Sequence, residues 1–227
     1  MKILLNLFPF FVFCLPSLTN AEVINSGDNG FVLRDTALLN ADAIDIWLAL
    51  IKPGNWWTDT HTWTGDSRNL SLTPQAGGCF CERIPEDIEA DRITLEGSVE
   101  HMRVIQAYPE RVLRMRGGLG PLQSEPATGV LTIVISEVAE GVRVVWEYVV
   151  GGYMRYKSPI IAPAIDNVMK EQFASFTSQF SRVEVLMDTI GEQVEPLPED
   201  ESETGLIEPI VSDLPTLEEE IDSLGNK

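Results

Sequence analysis

The chain has 227 residues, of which 44% are apolar, and a formal net charge of −19. This length fits one globular domain with terminal extensions, and the apolar share is ordinary for a soluble domain. With 16 basic against 35 acidic residues, the chain lacks the basic surface that neutralises phosphates, so we expect no nucleic-acid partner.

The N-terminal segment 1–21 has the three parts of a secretory signal peptide. Lys2 precedes an uncharged apolar run over residues 3–15, and the segment ends on the sequence TNA, a small-x-small cleavage site. The apolar run is shorter than the roughly 20 residues that a membrane-spanning helix needs. We therefore predict cleavage before Glu22, export to the periplasm or out of the cell, and no stable membrane anchor afterwards.

Residues 22–187 are predicted to form one domain that opens with a strand and a helix. The strand covers residues 31–34. Asn40 is the predicted N-cap of a helix over residues 41–50, because its side chain can accept from a free backbone N–H. The sequence KPG at 52–54 ends this helix, and a second short helical turn is the expectation for 55–60.

Strand-like segments follow, with turn signals about every ten residues, as in antiparallel hairpins. The six strands are predicted over residues 70–72, 78–83, 99–108, 111–117, 130–138 and 142–150. A long amphipathic helix then begins at Pro163 and continues to about Met187. The fold class is therefore α+β, with a curved antiparallel sheet of about seven strands against one long C-terminal helix. A strongly bent sheet leaves a ligand space between itself and that helix.

Strict alternation along the strands and the apolar stripe of the helix assign side chains to this space. Inward orientation of Met102 and Val104 takes Glu100 inward as well and leaves His101 outside. Ordinary packed core is the alternative interpretation for each inward residue. The predicted ligand contacts are the large inward side chains Trp57, Trp63, Phe80, Met102, Val104, Leu113, Met115, Leu131, Ile133, Trp146, Tyr148, Val168, Phe173 and Phe176.

Cys79 and Cys81 remain after removal of the segment that contains Cys14. In a regular strand, residues i and i+2 lie about 6.5–7 Å apart, at or beyond the usual limit for a disulfide. We predict two free, half-buried thiols, with a vicinal-type disulfide as the alternative. The spacing matches neither a metal site nor a redox motif, and we expect no metal and no cofactor.

Glu82 and Glu100 are the candidate catalytic residues. A carboxylate in an apolar cavity has a raised pKa and can act as a general acid or base. The alternative is that each carboxylate pairs with an arginine at the rim, for which the candidates are Arg83, Arg103 and Arg114. An acyl-hydrolase site is not predicted, because the chain has two histidines and no Gly-x-Ser-x-Gly motif. His61 is expected to meet Asp59 at the surface, and His101 is expected to be a structural or surface histidine.

Several motifs carry a family resemblance: WW (56–57), GDSRNLSL (65–72), GGCFCE (77–82), HMRV (101–104), LRMRGGLGPLQ (113–123), EYVVGGY (147–153) and AIDNV (164–168). They resemble the START-related superfamily of ligand-cavity proteins, also called SRPBCC or the polyketide-cyclase and lipid-transport group. The resemblance implies a helix-grip fold with a hydrophobic cavity, and it carries over no catalytic residue. Because that fold hosts lipid carriers, cyclases, hormone receptors and chaperone regulators, it does not fix the function.

The glycine-rich segment 117–121 follows a strand and precedes no predicted helix. It is therefore not expected to be a phosphate loop. We predict instead a loop at the rim of the cavity mouth.

Residues 188–227 hold 13 acidic residues and one basic residue, which is −12 of the total charge. The segment is rich in Pro, Glu and Ser and has no aromatic residue, so we predict a disordered tail. Three functions stay open. We favour an exported module that binds an apolar or amphipathic small molecule. The alternatives are a cyclase-like enzyme that uses a cavity carboxylate, and an interaction domain whose acidic tail recruits a protein partner.

Overall fold

The computed structural model describes residues 22–27 and 29–183. They form an α+β structure with one large open antiparallel sheet and two helices. The predicted signal peptide, the predicted acidic tail and the last residues of the predicted C-terminal helix lie outside the described residues. In the described part of the chain, no helix combines the length and apolarity that crossing a membrane requires.

The described chain contributes nine strands to the sheet: β1 (Glu22–Gly27), β2 (Gly30–Asn40), β3 (Leu70–Leu72), β4 (Cys79–Ile84), β5 (Gly97–Tyr108), β6 (Val112–Gly117), β7 (Thr128–Val138), β8 (Gly141–Gly151) and β9 (Ser181–Arg182). Their order is β1-β2-β8-β7-β6-β5-β4-β3, and β9 also pairs with β2. Helix α1 (Ala43–Leu50) follows β2, and helix α2 (Ser158–Thr177) follows β8.

The structure confirms the seven predicted strands as β2 to β8. The first of them, β2, is longer than predicted. Strand β2 continues past the predicted end at residue 34, because ten of its residues pair with β8, from Gly30 to Leu39. Asn40 is the last residue of this strand, so its prediction as a helix N-cap is wrong. Asp42 occupies the N-cap position of α1 instead.

Helix α2 begins at Ser158, before the predicted start at Pro163, and ends at Thr177, before the predicted end near Met187. Pro159 lies in the first turn, where its missing N–H removes no intrahelical hydrogen bond. After the helix, residues 178–180 turn the chain into β9, which pairs with the end of β2. Hydrophobic periodicity predicts too long a helix, because it carries no information about this strand pairing.

The apolar face of α2 packs against the inner face of the sheet around Trp146 of β8. The ring centroid of Trp146 lies 5.3 Å from that of Phe173, 5.5 Å from that of Trp56 and 5.7 Å from that of Phe176. Such aromatic pairs add about 0.5–1.5 kcal/mol each to the free energy of area burial. Between the sheet and residues 50–57, the void that Trp146 lines is also small, about 10 Å³, roughly the minimum for one water molecule. The ring contacts of Trp146 with Phe173 and Phe176 show that sheet and helix pack closely in this region.

An irregularity in β5 changes the predicted faces. Pairing with β4 runs from Phe80↔Met102 to Cys81↔Glu100, which leaves His101 as the extra residue of a β-bulge. His101 and Met102 are both buried, whereas Glu100 is exposed. The predictions that Glu100 points inward and His101 outward are therefore wrong, because alternation fails at a bulge.

Cys79 and Cys81 form a disulfide. The prediction of free thiols is wrong, and the alternative is confirmed. The two Cα atoms lie 5.3 Å apart, inside the usual disulfide range of about 4.4–6.8 Å. The Cα distance is shorter than regular strand spacing, and β4 and β5 pair irregularly at the same place, between Phe80 and Cys81.

Candidate functional site

A cavity of about 340 Å³ with mostly apolar walls lies between three parts of the chain. Trp57 and Trp63 belong to the segment 57–63, and Leu119 and Pro121 belong to the rim segment 119–121. Helix α2 forms the third wall, and His101 of β5 also lines the cavity. The volume falls in the range of about 300–1,000 Å³ that is typical of small-molecule sites.

The helical wall consists of Ile165, Val168 and Met169. Their i, i+3, i+4 spacing places them on one face of α2. In the opposite segment, the indole N–H of Trp57 donates to the carbonyl oxygen of His61 at 3.0 Å. This bond holds residues 57–61 in a closed turn, so that His61 and the threonines beside it also reach the cavity.

The rim segment is fixed by Tyr148 of β8. Its hydroxyl donates to the carbonyl oxygen of Gly117 at 3.0 Å and accepts from the backbone N–H of Leu119 at 3.3 Å. Burial raises the pKa of Tyr148, so the phenol stays protonated. Gly129 makes room for the ring, since a Cβ at this position would lie 2.2 Å from it. Residues 119–121 of the predicted rim loop line the cavity.

A chain of hydrogen bonds joins the rim to β4 behind the cavity wall. The indole Nε1–H of Trp63 donates to Oε1 of Gln123 at 2.8 Å, which orients the amide so that its Nε2–H points to Nδ1 of His101 at 3.1 Å. His101 then carries its proton on Nε2 and donates it to Oε2 of Glu82 at 3.0 Å. Both imidazole nitrogens of His101 are therefore occupied.

Glu82 is fully buried and accepts three hydrogen bonds. Besides that of His101, these come from the backbone N–H groups of Trp63 at 3.0 Å and Thr64 at 2.7 Å. Burial alone would raise the pKa of Glu82, but these hydrogen bonds outweigh it and lower the pKa below its ordinary value. Both predictions for Glu82 are wrong, since its pKa is not raised and its partner is not an arginine.

His101 is a buried residue of the cavity wall rather than a surface residue. Burial lowers its pKa below the ordinary value, and the hydrogen bond to the Glu82 carboxylate opposes this change only in part. The imidazole is therefore neutral at neutral pH. With both nitrogens occupied, it holds the wall in position and offers no free base.

Glu100 lies outside the cavity on the exposed face of β5. Its Oε2 forms an ion pair with Nη2 of Arg103 at 2.5 Å. The alternative prediction of an arginine partner is thus confirmed for Glu100. This residue is not in a position to act on a molecule inside the cavity.

His61 contacts α2 and not Asp59, which instead accepts from the backbone N–H of Ser67 at 2.7 Å. The backbone N–H of Thr58 donates to Oε1 of Gln172 at 2.8 Å, and Nε2 of the same amide lies 2.9 Å from Nδ1 of His61. Gln172 is fully buried. It ties the segment 57–61 to the helix, so the predicted surface pairing of His61 with Asp59 is wrong.

The predicted ligand contacts fall into two groups. Trp57, Trp63 and Val168 line the 340 Å³ cavity. The others are buried side chains of the sheet and helix that lie outside its lining, and for them ligand contact stays a prediction. Six of these surround the void of about 10 Å³: Phe80, Leu113, Met115, Leu131, Ile133 and Trp146.

Sequence reasoning missed the two glutamines that position the cavity walls. Gln172 could have been found, since it follows Val168 and Met169 at i+4 and i+3 and so lies on the buried side of α2. Gln123 ends the LRMRGGLGPLQ motif but carries no signal of its own. Its role depends on the bulge at His101, which is visible only in three dimensions.

A second polar cluster lies between β2 and α2. Asp35 is 5% exposed, faces inward opposite Trp146 and accepts no hydrogen bond from the described residues. Burial raises the pKa of Asp35 from 3.8 to about 6, the nearby charge of Asp166 adds to the rise, and Lys170 opposes it. Asp166 accepts from Lys170 at 2.5 Å through Oδ2, while its buried Oδ1 has no partner within the described ranges. No group of three His, Cys, Asp or Glu residues suited to a metal is found in the described part of the chain.

No protein-family model matches this chain, and no curated protein matches it. Solved structures with a similar backbone include an uncharacterised protein from Rhizobium leguminosarum, at 16% identity over 65% of this chain and 91% of that one, with a TM-score of 0.46. A protein from Mesorhizobium loti is 14% identical over 65% and 94%, with a TM-score of 0.44. One from Rhodobacter sphaeroides is 16% identical over 70% and 97%, with a TM-score of 0.43. These scores carry no argument about function.

Proposed function

We propose that this chain is an exported module that binds an apolar or amphipathic small molecule in the 340 Å³ cavity. The observation that carries the proposal is the contrast between two voids of very different size in the described part of the chain. Beside Trp146, the sheet and residues 50–57 leave about 10 Å³, whereas Trp57, the rim segment and Val168 surround about 340 Å³ with mostly apolar walls. A cavity of that size with a few polar groups is the usual form of a small-molecule site.

We also propose that the α+β structure is a helix-grip fold of the START-related kind. It is supported by the long helix α2, which packs against one face of an antiparallel sheet, and by the short helix α1 that follows β2. Export is proposed from the N-terminal segment 1–21 alone. The disulfide between Cys79 and Cys81 is compatible with an oxidising compartment.

Binding is better supported than catalysis by a cavity carboxylate. Glu82 accepts three hydrogen bonds and has a lowered pKa, which suits a structural anion and not a general acid at neutral pH. Glu100 is paired with Arg103 at the surface. Neither carboxylate has the environment that the cyclase hypothesis requires.

A cavity-filling substitution tests the proposal. Val168→Trp places a large ring in the cavity from the helical wall, and Ile160→Trp places the same ring on an exposed position of the same helix. Binding of the neutral apolar fluorophore N-phenyl-1-naphthylamine to the full mature chain is measured by its emission. We expect saturable binding by the unmodified chain and by Ile160→Trp, and affinity weakened at least tenfold in Val168→Trp.

Two results would contradict the proposal. One is no saturable binding of the apolar probe by the folded, unmodified chain. The other is unchanged affinity in Val168→Trp, which would place the probe at another surface. Circular dichroism and thermal unfolding of both variants establish that the comparison is made between folded proteins.

A further inference from the structure

The cavity walls contain few polar side-chain atoms that a ligand can still use. Both ring nitrogens of His101 are occupied, and the indole N–H groups of Trp57 and Trp63 donate to His61 O and to Gln123. The hydroxyl of Thr62 donates to the carbonyl oxygen of Asp59 at 2.7 Å. Among the described residues that line the cavity, the side-chain donors left without a partner are those of His61 and Thr60.

The hydrogen bonds around His61 determine which of its nitrogens carries the proton. The backbone N–H of Thr58 can only donate, so the amide oxygen of Gln172 must face it and the amide N–H groups must face the other way. One of these N–H groups points to Nδ1 of His61 at 2.9 Å, and the hydroxyl of Thr58 lies 3.0 Å from the same atom. Nδ1 is therefore an acceptor, and the neutral ring carries its hydrogen on Nε2. No described residue accepts that hydrogen.

Charge restricts the group that Nε2–H can bind. The cavity lining within the described residues contains no Lys or Arg, and the Glu171 carboxylate lies 3.6 Å from Nδ1 of His61. A ligand carboxylate would lose its hydration without meeting a lysine or arginine, which is costly. A neutral carbonyl oxygen accepts the hydrogen bond without that penalty.

We propose that the ligand of this cavity is an apolar molecule with a neutral carbonyl group, such as a ketone, ester or amide, and that Nε2–H of His61 donates to its oxygen. This inference rests on the proposed function and names the chemical class that the site takes. His61 orients the ligand, and the walls formed by Trp57, Val168 and Met169 supply most of the contact area.

Three probes with the same ring system and thirteen non-hydrogen atoms each test the inference: 2-acetylnaphthalene, 2-isopropylnaphthalene and 2-naphthoate. Isothermal titration calorimetry with the full mature chain gives their dissociation constants. We expect the ketone to bind about tenfold tighter than the hydrocarbon, because the hydrocarbon leaves a donor without a partner. The carboxylate is expected to bind more weakly than the ketone. In His61→Phe the ketone and the hydrocarbon should bind equally.

Thr60→Val tests the competing donor. Loss of the ketone preference in this variant, with the preference retained in His61→Phe, assigns the donor to Thr60 and overturns the proposal. Equal binding of ketone and hydrocarbon by the unmodified chain also overturns it, as does tightest binding of the carboxylate. These results leave the cavity as a binding site. Binding of none of the probes defeats the proposed function itself.

Nitrogen-15 NMR of the unmodified chain keeps the proposal testable if His61→Phe does not fold. The chain has two histidines, so labelled imidazoles give a simple spectrum with His101 as the internal reference. Addition of 2-acetylnaphthalene should move the Nε2 resonance of His61 more than addition of the hydrocarbon does. Equal movement with both probes would contradict the hydrogen bond.

Discussion

Asp35→Asn is expected to stabilise the folded chain at pH 8. Asp35 is 5% exposed between sheet and helix, and it accepts no hydrogen bond from the described residues. Its pKa rises from 3.8 to about 6 on folding, first because of burial and then because of the charge of Asp166. A folded-state pKa above the unfolded one means that ionisation favours unfolding. Asparagine has nearly the same shape and carries no charge.

The change in pKa gives the magnitude. One pKa unit corresponds to about 1.36 kcal/mol, so the ionised Asp35 destabilises the folded state by about 3 kcal/mol when the pH is well above 6. The penalty disappears as the pH falls through 6 towards 4, because the folded state then binds the proton more strongly than the unfolded state. Asp35→Asn should therefore add about 3 kcal/mol to the free energy of unfolding at pH 8 and about 0.5 kcal/mol at pH 4.

Urea unfolding of the full chain at pH 8 and pH 4 measures this difference, since the midpoint moves with stability when the slope is unchanged. Asp91→Asn is the matched control, because Asp91 is exposed, and its midpoint should stay the same at both pH values. An Asp35→Asn variant that is no more stable than the unmodified chain at pH 8 would refute the reasoning. A gain of equal size at both pH values would also refute it, because it would not arise from ionisation.

The remaining predictions concern the residues that hold the cavity walls. Glu82→Gln should lower the free energy of unfolding by about 1–3 kcal/mol, because an amide oxygen cannot accept hydrogen bonds from all three buried donors. The exposed control Glu100→Gln should change the free energy of unfolding little. Equal effects of the two substitutions in urea unfolding would contradict the structural role of Glu82. Tyr148→Phe should lower the free energy of unfolding by about 1–3 kcal/mol, since it leaves backbone groups of the rim without a hydrogen-bond partner. The control Tyr153→Phe changes an exposed residue and should leave stability unchanged. Unchanged stability in Tyr148→Phe would contradict the role of the hydroxyl. Because the pKa of His101 is lowered on folding, its neutral form favours the folded state above pH 6.5, and this contribution is lost as the pH falls below 6.5. The free energy of unfolding should therefore fall less between pH 7 and pH 5 in His101→Gln than in the unmodified chain. An equal fall would contradict the buried neutral imidazole.

Much of the sheet could be predicted because strand periodicity is a local property. Seven strands and the alternation of Leu113 and Met115 with the outward arginines were available from the sequence, since a pleated strand places every second side chain on the same face. The short strand β9 could not be predicted, because its two residues pair with β2 across a long sequence separation. The burial of Asp35 could not be predicted either, since a carboxylate in a strand usually marks the solvent face or the end of the strand.

The candidate site was less predictable, because it depends on a bulge and on side-chain amides. The extra residue at His101 reverses the faces of β5, so the sequence placed Glu100 inside and His101 outside, opposite to the structure. The width of the sheet–helix gap was not available from the sequence either. Trp146 and Phe173 fill the gap at one place, whereas the cavity lies where the segment 57–63, the rim segment and α2 come together.

We expect an apolar molecule to occupy the space between Trp57, the rim segment 119–121 and α2. A crystal structure of the full chain grown with 2-acetylnaphthalene tests it most directly. We expect density for the naphthalene rings against Val168, with the carbonyl oxygen about 3 Å from Nε2 of His61. An empty cavity at saturating probe, or probe bound only elsewhere on the surface, would contradict the account.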